Sequence, residues 1–145
     1  MSKKRIYIDM DGVLCDFLNA AKKHLNENPK VKYPQSISGF FRNLDPIKGA
    51  IESFKKLEKN YDVWILTRPS FRNKLCYTEK AEWVENHLGY ETLKKTIICG
   101  DKSLLIGDYL IDDTLNANQD KFNGKFLKFG SDEFPDWESV MNFFK

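Results

Sequence analysis

Two aspartates near the start of the chain, Asp9 and Asp11, are separated by one residue and followed by Gly12. Two carboxylates at this spacing can divide a reaction, because one can attack an electrophile while the other transfers a proton. They also attract a hard divalent cation, since Mg²⁺ prefers a few protein oxygens together with substrate phosphate. The glycine lets the backbone turn tightly near a ligand. Taken alone, the motif also fits an ordinary turn, in which Asp and Gly are common.

Two further segments carry groups suited to phosphate. Thr67 and Arg68 follow an apolar run, and a hydroxyl beside free backbone N–H groups can bind phosphate oxygens. Lys102 follows another apolar run, and its ammonium can neutralise a transferring phosphoryl group. Each has a plainer alternative, because Thr67 can satisfy loop backbone and Lys102 can be a solvated surface charge.

An adjacent acidic pair, Asp112 and Asp113, follows the apolar segment YLI. Neighbouring carboxylates at the end of a buried strand repel each other unless a cation or hydrogen-bond donors stabilise them. A helix cap is the alternative, but a cap uses only one of the two side chains. The pair therefore favours a site in which a cation or hydrogen-bond donors stabilise both carboxylates.

Apolar runs and amphipathic segments predict the elements that position these residues. The predicted strands are Arg5 to Ile8, VWIL ending at Thr67, Thr96 to Cys99, the runs LLI and YLI within 104–111, and Lys125 to Phe129. The predicted helices are 17–25, 46–57 with Asp45 as N-cap and Pro46 at the first position, 78–87 before Gly89, and 135–144.

This alternation predicts an α/β fold with a parallel sheet and helices on both faces. Ligands of such sheets bind outside the carboxyl ends of the strands. Asp9, Thr67 and Asp112 each stand where a predicted strand ends, so we expect them to meet at one edge of the sheet.

Composition limits the possible partners. The chain has 145 residues, enough for a single domain, with 41% apolar and 30% charged residues, as in ordinary globular proteins. Its formal net charge of +2 does not favour a nucleic-acid polymer or an anionic membrane as partner. We therefore expect a small-molecule partner, and the sequence leaves the oligomeric state open.

The cysteines predict a reducing environment. Cys15, Cys76 and Cys99 are far apart and odd in number, and they form no CxxC pair. The apolar run near the N-terminus is short and interrupted by Asp9, unlike a signal peptide or a membrane span. We expect a cytoplasmic protein.

The order of DxDG, strand-end Thr, Lys and DD is similar to the haloacid dehalogenase-like phosphohydrolase superfamily. The segments DMDGVLCDF, FFRNLDPIKGA, YTEKAEWVENHLG and DKSLLIGDYLIDD narrow this, since together they resemble the 5′(3′)-deoxyribonucleotidase family. The similarity runs from Ile6 to about Trp137. It implies a Rossmann-type three-layer core in one domain, 1–145, with a small helical cap inserted after the first strand at about 15–45.

The resemblance also implies roles for the polar residues. Asp9 would attack phosphorus and become an aspartyl-phosphate. Asp11 would protonate the leaving oxygen and then activate water, while its backbone carbonyl contacts Mg²⁺. Asp113, supported by Asp112, would complete the metal shell together with Asp9.

The binding residues follow the family pattern less closely. Thr67 and Lys102 would hold the phosphoryl oxygens. Arg68 stands where the family often has Ser, so it either contacts phosphate or faces solvent. Phe17, Phe40 and Phe41 match positions near the family's base pocket, and ordinary core packing is an equal alternative for Phe41.

The expected substrate is a nucleoside monophosphate, with deoxyribonucleotides favoured. A sugar phosphate or another small phosphomonoester is the alternative within the same chemistry. A phospho-accepting domain similar to a response-regulator receiver is an alternative of another class, although its acidic pair would precede the acceptor aspartate rather than follow Lys102.

Overall fold

The computed structural model describes residues 2–145 as a five-stranded sheet with five α-helices. The strands are β1 (Arg5–Ile8), β2 (Asp62–Thr67), β3 (Thr96–Ile98), β4 (Tyr109–Asp112) and β5 (Lys125–Lys128). The α-helices are α1 (Phe17–Glu27), α2 (Ala50–Leu57), α3 (Cys76–Leu88), α4 (Tyr90–Leu93) and α5 (Trp137–Phe143). Short 3₁₀ turns occupy Pro34–Ser36, Lys102–Leu104 and Gln119–Lys121.

All strand pairs are parallel, in the order β3-β2-β1-β4-β5. This confirms the predicted α/β fold with a parallel sheet. Ile8 is in register with Ile65 of β2 and Ile111 of β4, so the three central strands end at nearly the same level. The carboxyl ends of these strands therefore bring their polar residues to one edge.

The two faces of the sheet are covered unequally. The larger apolar cluster joins Ile6, Ile8 and Ile65 to buried residues of α2, α3 and α5, such as Phe54 and Trp83. The smaller cluster, on the opposite face, has no α-helical member among the described residues. It consists of buried side chains from three strands and one turn, Tyr7, Leu66, Leu110 and Phe122, with partly buried neighbours. Loops and 3₁₀ turns thus form the thinner of the two outer layers.

The helix predicted over 46–57 begins later, at Ala50. Pro46 instead forms a β-bridge with Cys15, and the N–H of Ile47 donates to the carbonyl of Leu14 (2.8 Å). Gly49, with φ +81°, is the N-cap, so the prediction of Asp45 as N-cap is wrong. The reason is that the loop after β1 uses this backbone as a pairing partner.

The predicted strand LLI is also wrong. Leu104 ends a 3₁₀ turn, and no described strand precedes Tyr109 in this segment. Leu104 and Ile106 are 73% and 72% exposed, whereas Leu105 packs on the sheet. An apolar run with a single, partly buried side chain provides too little for a strand to form.

The segment predicted as a cap, 15–45, contains α1 and the first 3₁₀ turn. The three cysteines are free thiols, and Cys15 and Cys76 are buried. None of the described helices combines the length and apolarity needed to cross a bilayer.

Candidate active site

The loop after β1 is closed by its own backbone. The carbonyl of Met10 accepts hydrogen bonds from the N–H groups of Val13 (3.1 Å), Leu14 (2.8 Å) and Cys15 (2.9 Å). The N–H of Asp9 donates to the carbonyl of Ile111, near the end of β4 (3.0 Å). The Asp9 carboxylate is therefore held at the carboxyl edge of the sheet, where it is largely buried.

Lys102 links two of the predicted acidic residues. Its buried ammonium donates to Asp9 Oδ1 (2.9 Å) and to Asp112 Oδ2, and its backbone N–H donates to the carbonyl of Ala117 (2.8 Å). Burial lowers the pKa of Lys102, but the two carboxylates outweigh burial, so the net pKa lies above its usual value. Lys102 is thus a fixed positive charge beside Asp9.

Asp112 is saturated by protein donors. Besides Lys102, it accepts hydrogen bonds from the backbone N–H groups of Asp113 (2.8 Å) and Thr114 (3.3 Å) and from Gln119 Nε2 (3.2 Å). Its side chain is fully buried, and sequence reasoning did not identify Gln119 as its partner. Asp112 is therefore suited to supporting the site rather than to facing a ligand.

Asp9, Asp112 and Asp113 each offer an oxygen within 4.8 Å of the others. Burial, followed by repulsion from Asp9 and Asp112, raises the pKa of Asp113 to about 8. Burial, followed by repulsion from Asp9, raises the pKa of Asp112 to about 6. Three carboxylates packed this closely require added positive charge to ionise together at neutral pH.

The backbone beside Asp113 is shaped for this cluster. Gly12 has φ +85°, and a Cβ built there would lie 2.0 Å from Asp113 Oδ2. Only glycine can therefore place the loop against this carboxylate. All-oxygen donors with excess negative charge, in a space that a methyl group would fill, fit a hard divalent cation.

Asp11 lies outside that cluster and is paired with Lys80, a residue that sequence reasoning did not single out. Lys80 Nζ donates to Asp11 Oδ2 (3.2 Å), to Thr67 Oγ1 (2.6 Å) and to the carbonyl of Arg68 (2.7 Å). Its side chain is 1% exposed. Asp11 Oδ1 is buried without a hydrogen-bond partner among the described residues.

The surroundings of Asp11 favour its protonated form. Burial raises its pKa, Lys80 opposes this increase, and Asp9 adds to it, so the net pKa lies above the usual value. A carboxyl group that retains a proton beside a buried carboxylate can act as a general acid.

The predicted phosphate-binding side chains meet at the same edge. Thr67 is fully buried, and its hydroxyl accepts from Lys80. The Arg68 guanidinium stacks on the exposed ring of Phe71, 4.9 Å from its centroid, and Arg68 lines the cavity above Asp9. Arg68 is therefore available to this cavity.

The cavity has a volume of about 670 Å³. Its lining includes the charged residues Asp9, Asp11, Asp113 and Lys102, and the aromatic residues Phe17 and Phe41. Phe40 does not line it. Instead Phe40 packs edge-on against Phe17 (5.3 Å) and Phe41 (5.3 Å). Of the three aromatic residues predicted near a base pocket, Phe17 and Phe41 therefore line this cavity.

A haloacid dehalogenase-like hydrolase of Bacillus subtilis, provisionally assigned and solved with magnesium bound, has the same fold. It aligns with a TM-score of 0.70 at 11% identity, over 99% of each chain. The parallel sheet with acidic residues at its carboxyl edge thus has the fold of the haloacid dehalogenase-like hydrolases.

Closer relatives narrow the class. A Vibrio phage KVP40 protein provisionally named a 5′(3′)-deoxyribonucleotidase is 38% identical, over 97% of this chain and 84% of the relative. The human cytosolic-type 5′(3′)-deoxyribonucleotidase is 30% identical, over 94% of this chain and 78% of the relative.

The family model described as 5′ nucleotidase, deoxy (pyrimidine), cytosolic type C protein matches residues 30–138. The chain belongs to this family, and it is a phosphoric monoester hydrolase. Membership in an enzyme family leaves no support for the alternative of a receiver-like signalling domain.

Proposed function

We propose that this enzyme hydrolyses nucleoside monophosphates, with a preference for deoxyribonucleotides, by a Mg²⁺-dependent mechanism that passes through an aspartyl-phosphate on Asp9. One observation carries the proposal. A buried carboxylate, Asp9, lies at a cavity floor between a fixed ammonium, Lys102, and a second carboxylate, Asp113. A family of nucleotidases supplies the substrate class.

In the first step, a carboxylate oxygen of Asp9 attacks phosphorus and forms an acyl phosphate. The bond between phosphorus and the ester oxygen breaks, and that oxygen takes a proton from Asp11. The raised pKa of Asp11 supports this role, because it keeps the proton in place before substrate binds. The nucleoside then leaves as a neutral alcohol.

In the second step, water attacks the phosphorus of the aspartyl-phosphate. Asp11, now ionised, takes a proton from the water, and the bond between phosphorus and Asp9 breaks. Inorganic phosphate leaves, and both carboxyl groups return to their starting states. A carboxylate nucleophile thus divides one difficult hydrolysis into two easier displacements.

The residues that would hold Mg²⁺ are Asp9 and Asp113, with the backbone carbonyl of Asp11 as a further ligand. Asp112 would support them through its fixed position beside Asp113. When bound, the ion supplies positive charge that offsets the charge of the phosphate and Asp9 together.

The positive and hydroxyl groups would hold the phosphoryl oxygens. Lys102 and Thr67 lie at the ends of neighbouring elements, and Lys80 lies within hydrogen-bonding distance of Thr67. Arg68, at the cavity wall, would add a charge-assisted contact to the phosphate.

The cavity wall supports a nucleobase. Phe17 and Phe41 line the same cavity as the acidic residues Asp9 and Asp113, and a base can stack on such rings. The two relatives described above carry names that specify deoxyribonucleotides. A cytoplasmic location is part of this proposal, and the three free thiols support it.

The test is phosphate release from a panel of deoxyribonucleoside and ribonucleoside monophosphates and sugar phosphates, with Mg²⁺ and with EDTA. We expect Mg²⁺-dependent turnover that is highest on deoxyribonucleotides. Turnover on sugar phosphates alone would be consistent with the proposed hydrolysis mechanism and would contradict nucleoside monophosphates as the substrate.

The covalent step is tested by Asp9→Asn. We expect turnover to fall at least about a thousandfold, because an amide is a poor nucleophile, while circular dichroism shows an unchanged fold. Near-normal activity in the folded variant would contradict an aspartyl-phosphate on Asp9.

A further inference from the structure

A second buried charge in α3, Glu79, has no part in the proposed chemistry. Its side chain is 1% exposed. The carboxylate accepts hydrogen bonds from the backbone N–H groups of Gly39 (2.8 Å), Phe41 (3.1 Å) and Arg42 (3.4 Å), and the Arg42 guanidinium lies 3.9 Å away. These donors all belong to one turn, residues 39–42, of the segment between β1 and α2.

The contact is strong enough to fix that turn. A buried carboxylate is costly unless donors surround it, and hydrogen bonds to a charged acceptor are about twice as strong as neutral ones. Gly39 has φ +87°, a conformation that favours glycine, and the N–H of Phe40 turns away to the carbonyl of Ile37 (3.1 Å) while those on either side of it reach Glu79. One helical turn further along α3, Trp83 Nε1 donates to the carbonyl of Leu44 (2.8 Å). Glu79 and Trp83 thus hold the two ends of residues 39–44 against one face of α3.

The turn carries one wall of the substrate cavity. Phe41 is one of its buried residues and lines the cavity, and its ring centroid lies 5.3 Å from Lys80 Nζ. Lys80 is the residue after Glu79, and it donates to Asp11 and Thr67. Two successive residues of α3 therefore fix different parts of the site: Glu79 holds the aromatic wall, and Lys80 contacts the acid/base group.

We propose that Glu79 is a positioning residue for substrate specificity, which keeps Phe41 in place as a preformed wall for the nucleobase. This inference rests on the proposed nucleotidase function for its choice of ligand. Because Glu79 acts through the backbone of the turn, its removal weakens binding of the base and leaves the phosphoryl chemistry in place.

The test compares Glu79→Gln with Glu82→Gln. Glu82 lies one turn further along α3, is partly exposed and contacts the turn only through the Arg42 side chain. The substrates are a deoxyribonucleoside monophosphate and glycerol 2-phosphate, which has no base.

For Glu79→Gln we expect KM for the nucleotide to rise about tenfold and kcat/KM for glycerol 2-phosphate to change less than about twofold. Glu82→Gln should match the parent enzyme on both substrates. Equal losses on both substrates in Glu79→Gln would overturn the proposal, since they would mean a general structural defect. A nucleotide KM unchanged in Glu79→Gln would overturn it as well.

Phe41 provides an independent variant. Phe41→Leu should reproduce the rise in nucleotide KM, and combining it with Glu79→Gln should add little, because both changes remove the same wall. If Glu79→Gln does not fold, Phe41→Leu decides the matter alone: the same split between the two substrates supports the proposal, and its absence overturns it.

A readout without substrate separates this inference from the proposed function. Amide hydrogen exchange at Gly39, Phe41 and Arg42 should become faster in Glu79→Gln and stay unchanged in Glu82→Gln. Unchanged exchange would contradict the positioning role even in an active nucleotidase. If the parent enzyme does not hydrolyse nucleotides, faster exchange in Glu79→Gln would still support the positioning role of Glu79 and would overturn only the proposed substrate.

Discussion

At the scale of single residues, the proposed acid/base chemistry depends on the pair formed by Asp11 and Lys80. An opposite charge 3.2 Å away would ordinarily stabilise the ionised carboxyl group. Here burial has the larger effect, so the pKa of Asp11 lies above its usual value despite the lysine. Lys80 also donates to Thr67, so Asp11, the proposed general acid, and Thr67, the proposed phosphate-binding residue, belong to one hydrogen-bonded group.

Replacing Lys80 by an uncharged residue of similar length tests this group. We expect Lys80→Met to lower kcat by about a hundredfold, because it removes a fixed positive charge and leaves Asp11 without its donor. Lys74→Met, at an exposed position before α3, is the control and should keep parent activity. The measurement is phosphate release under saturating substrate and Mg²⁺, and equal kcat in the two variants would contradict the assignment.

Substitution of Gly12 tests how closely the loop after β1 must approach Asp113. Gly12→Ala and Gly130→Ala share the same backbone strain, because φ is +85° at Gly12 and +84° at Gly130. Each should lose roughly 1–2 kcal/mol of unfolding free energy for that reason. Only at Gly12 does the new Cβ also meet Asp113, whereas nothing lies within 4 Å at Gly130.

We therefore expect Gly12→Ala alone to lose Mg²⁺ affinity and turnover. Urea unfolding measures the shared cost, and calorimetric titration with Mg²⁺ measures the difference. Normal Mg²⁺ binding by Gly12→Ala would show that the approach to Asp113 is not needed.

At the scale of elements, two helices hold the loops of the site through tryptophan side chains. Trp83 of α3 donates to Leu44, and Trp137 of α5 donates to the carbonyl of Val13 (2.8 Å) in the loop after β1. Both indoles are buried in the larger apolar cluster. Helix α5 is therefore hydrogen-bonded directly to the loop after β1, which lies more than a hundred residues earlier in sequence.

Trp137→Phe tests this link, because it keeps most of the apolar volume and removes the donor. The expected loss is about 1–2 kcal/mol of unfolding free energy, since the Val13 carbonyl is left buried without its partner. We also expect a lower kcat, because Asp9 and Asp11 lie at the base of the same loop.

Trp64→Phe is the control, since Trp64 lies on the thinner face and donates only to the half-buried side chain of Asp62. It should leave kcat unchanged. Denaturant unfolding and steady-state kinetics measure both effects, and an unchanged kcat in Trp137→Phe would mean that α5 stabilises the fold without controlling the loop.

The elements also show where sequence reasoning succeeds. Strand ends were predictable, because a buried strand is a compact apolar run and the polar residue after it marks the carboxyl edge of the sheet. Asp9, Thr67 and Asp112 follow this rule. The late start of α2 was not predictable, because Pro46 pairs with Cys15, far away in sequence.

Two features of the site had no local signal. Lys80 lies on the buried side of α3, where a pattern analysis expects a solvated lysine, and only tertiary packing brings it to Thr67 and Asp11. Phe40 and Phe41 are adjacent, so composition could not show which ring faces the cavity and which packs behind it.

At the scale of the whole molecule, the two ends of the sheet respond to pH in opposite ways. At the amino ends of the strands, burial would raise the pKa of Asp62, but hydrogen bonds from Lys95, Arg5 and Trp64 outweigh it and lower the pKa to about 2. At the carboxyl ends, the pKa of Asp113 is raised to about 8, chiefly by burial. The amino ends of the strands thus stabilise an ionised carboxylate, whereas ionised carboxylates at the carboxyl ends repel one another.

The sign of each effect follows from proton linkage. Asp62 binds its proton less tightly in the folded state, so its contribution to stability is present above about pH 4 and is lost as pH falls towards 2. Asp113 binds its proton more tightly in the folded state, so its contribution is present below about pH 4 and is lost as pH rises to 8.

The metal-free enzyme should therefore lose thermal stability as pH rises from 5 to 8, and Mg²⁺ should restore it. The ion replaces the protons that the carboxyl-end acids would otherwise retain, so the rise in Tm caused by Mg²⁺ should increase with pH over this range. Thermal scans with EDTA and with Mg²⁺ measure both slopes. Asp113→Asn is the control, because it removes the repulsion and a ligand at once, and it should flatten both slopes. A Tm in EDTA that rises from pH 5 to 8 would show that the carboxyl edge stores no such repulsion, and a Mg²⁺ effect independent of pH would show that protons and the ion do not compete there.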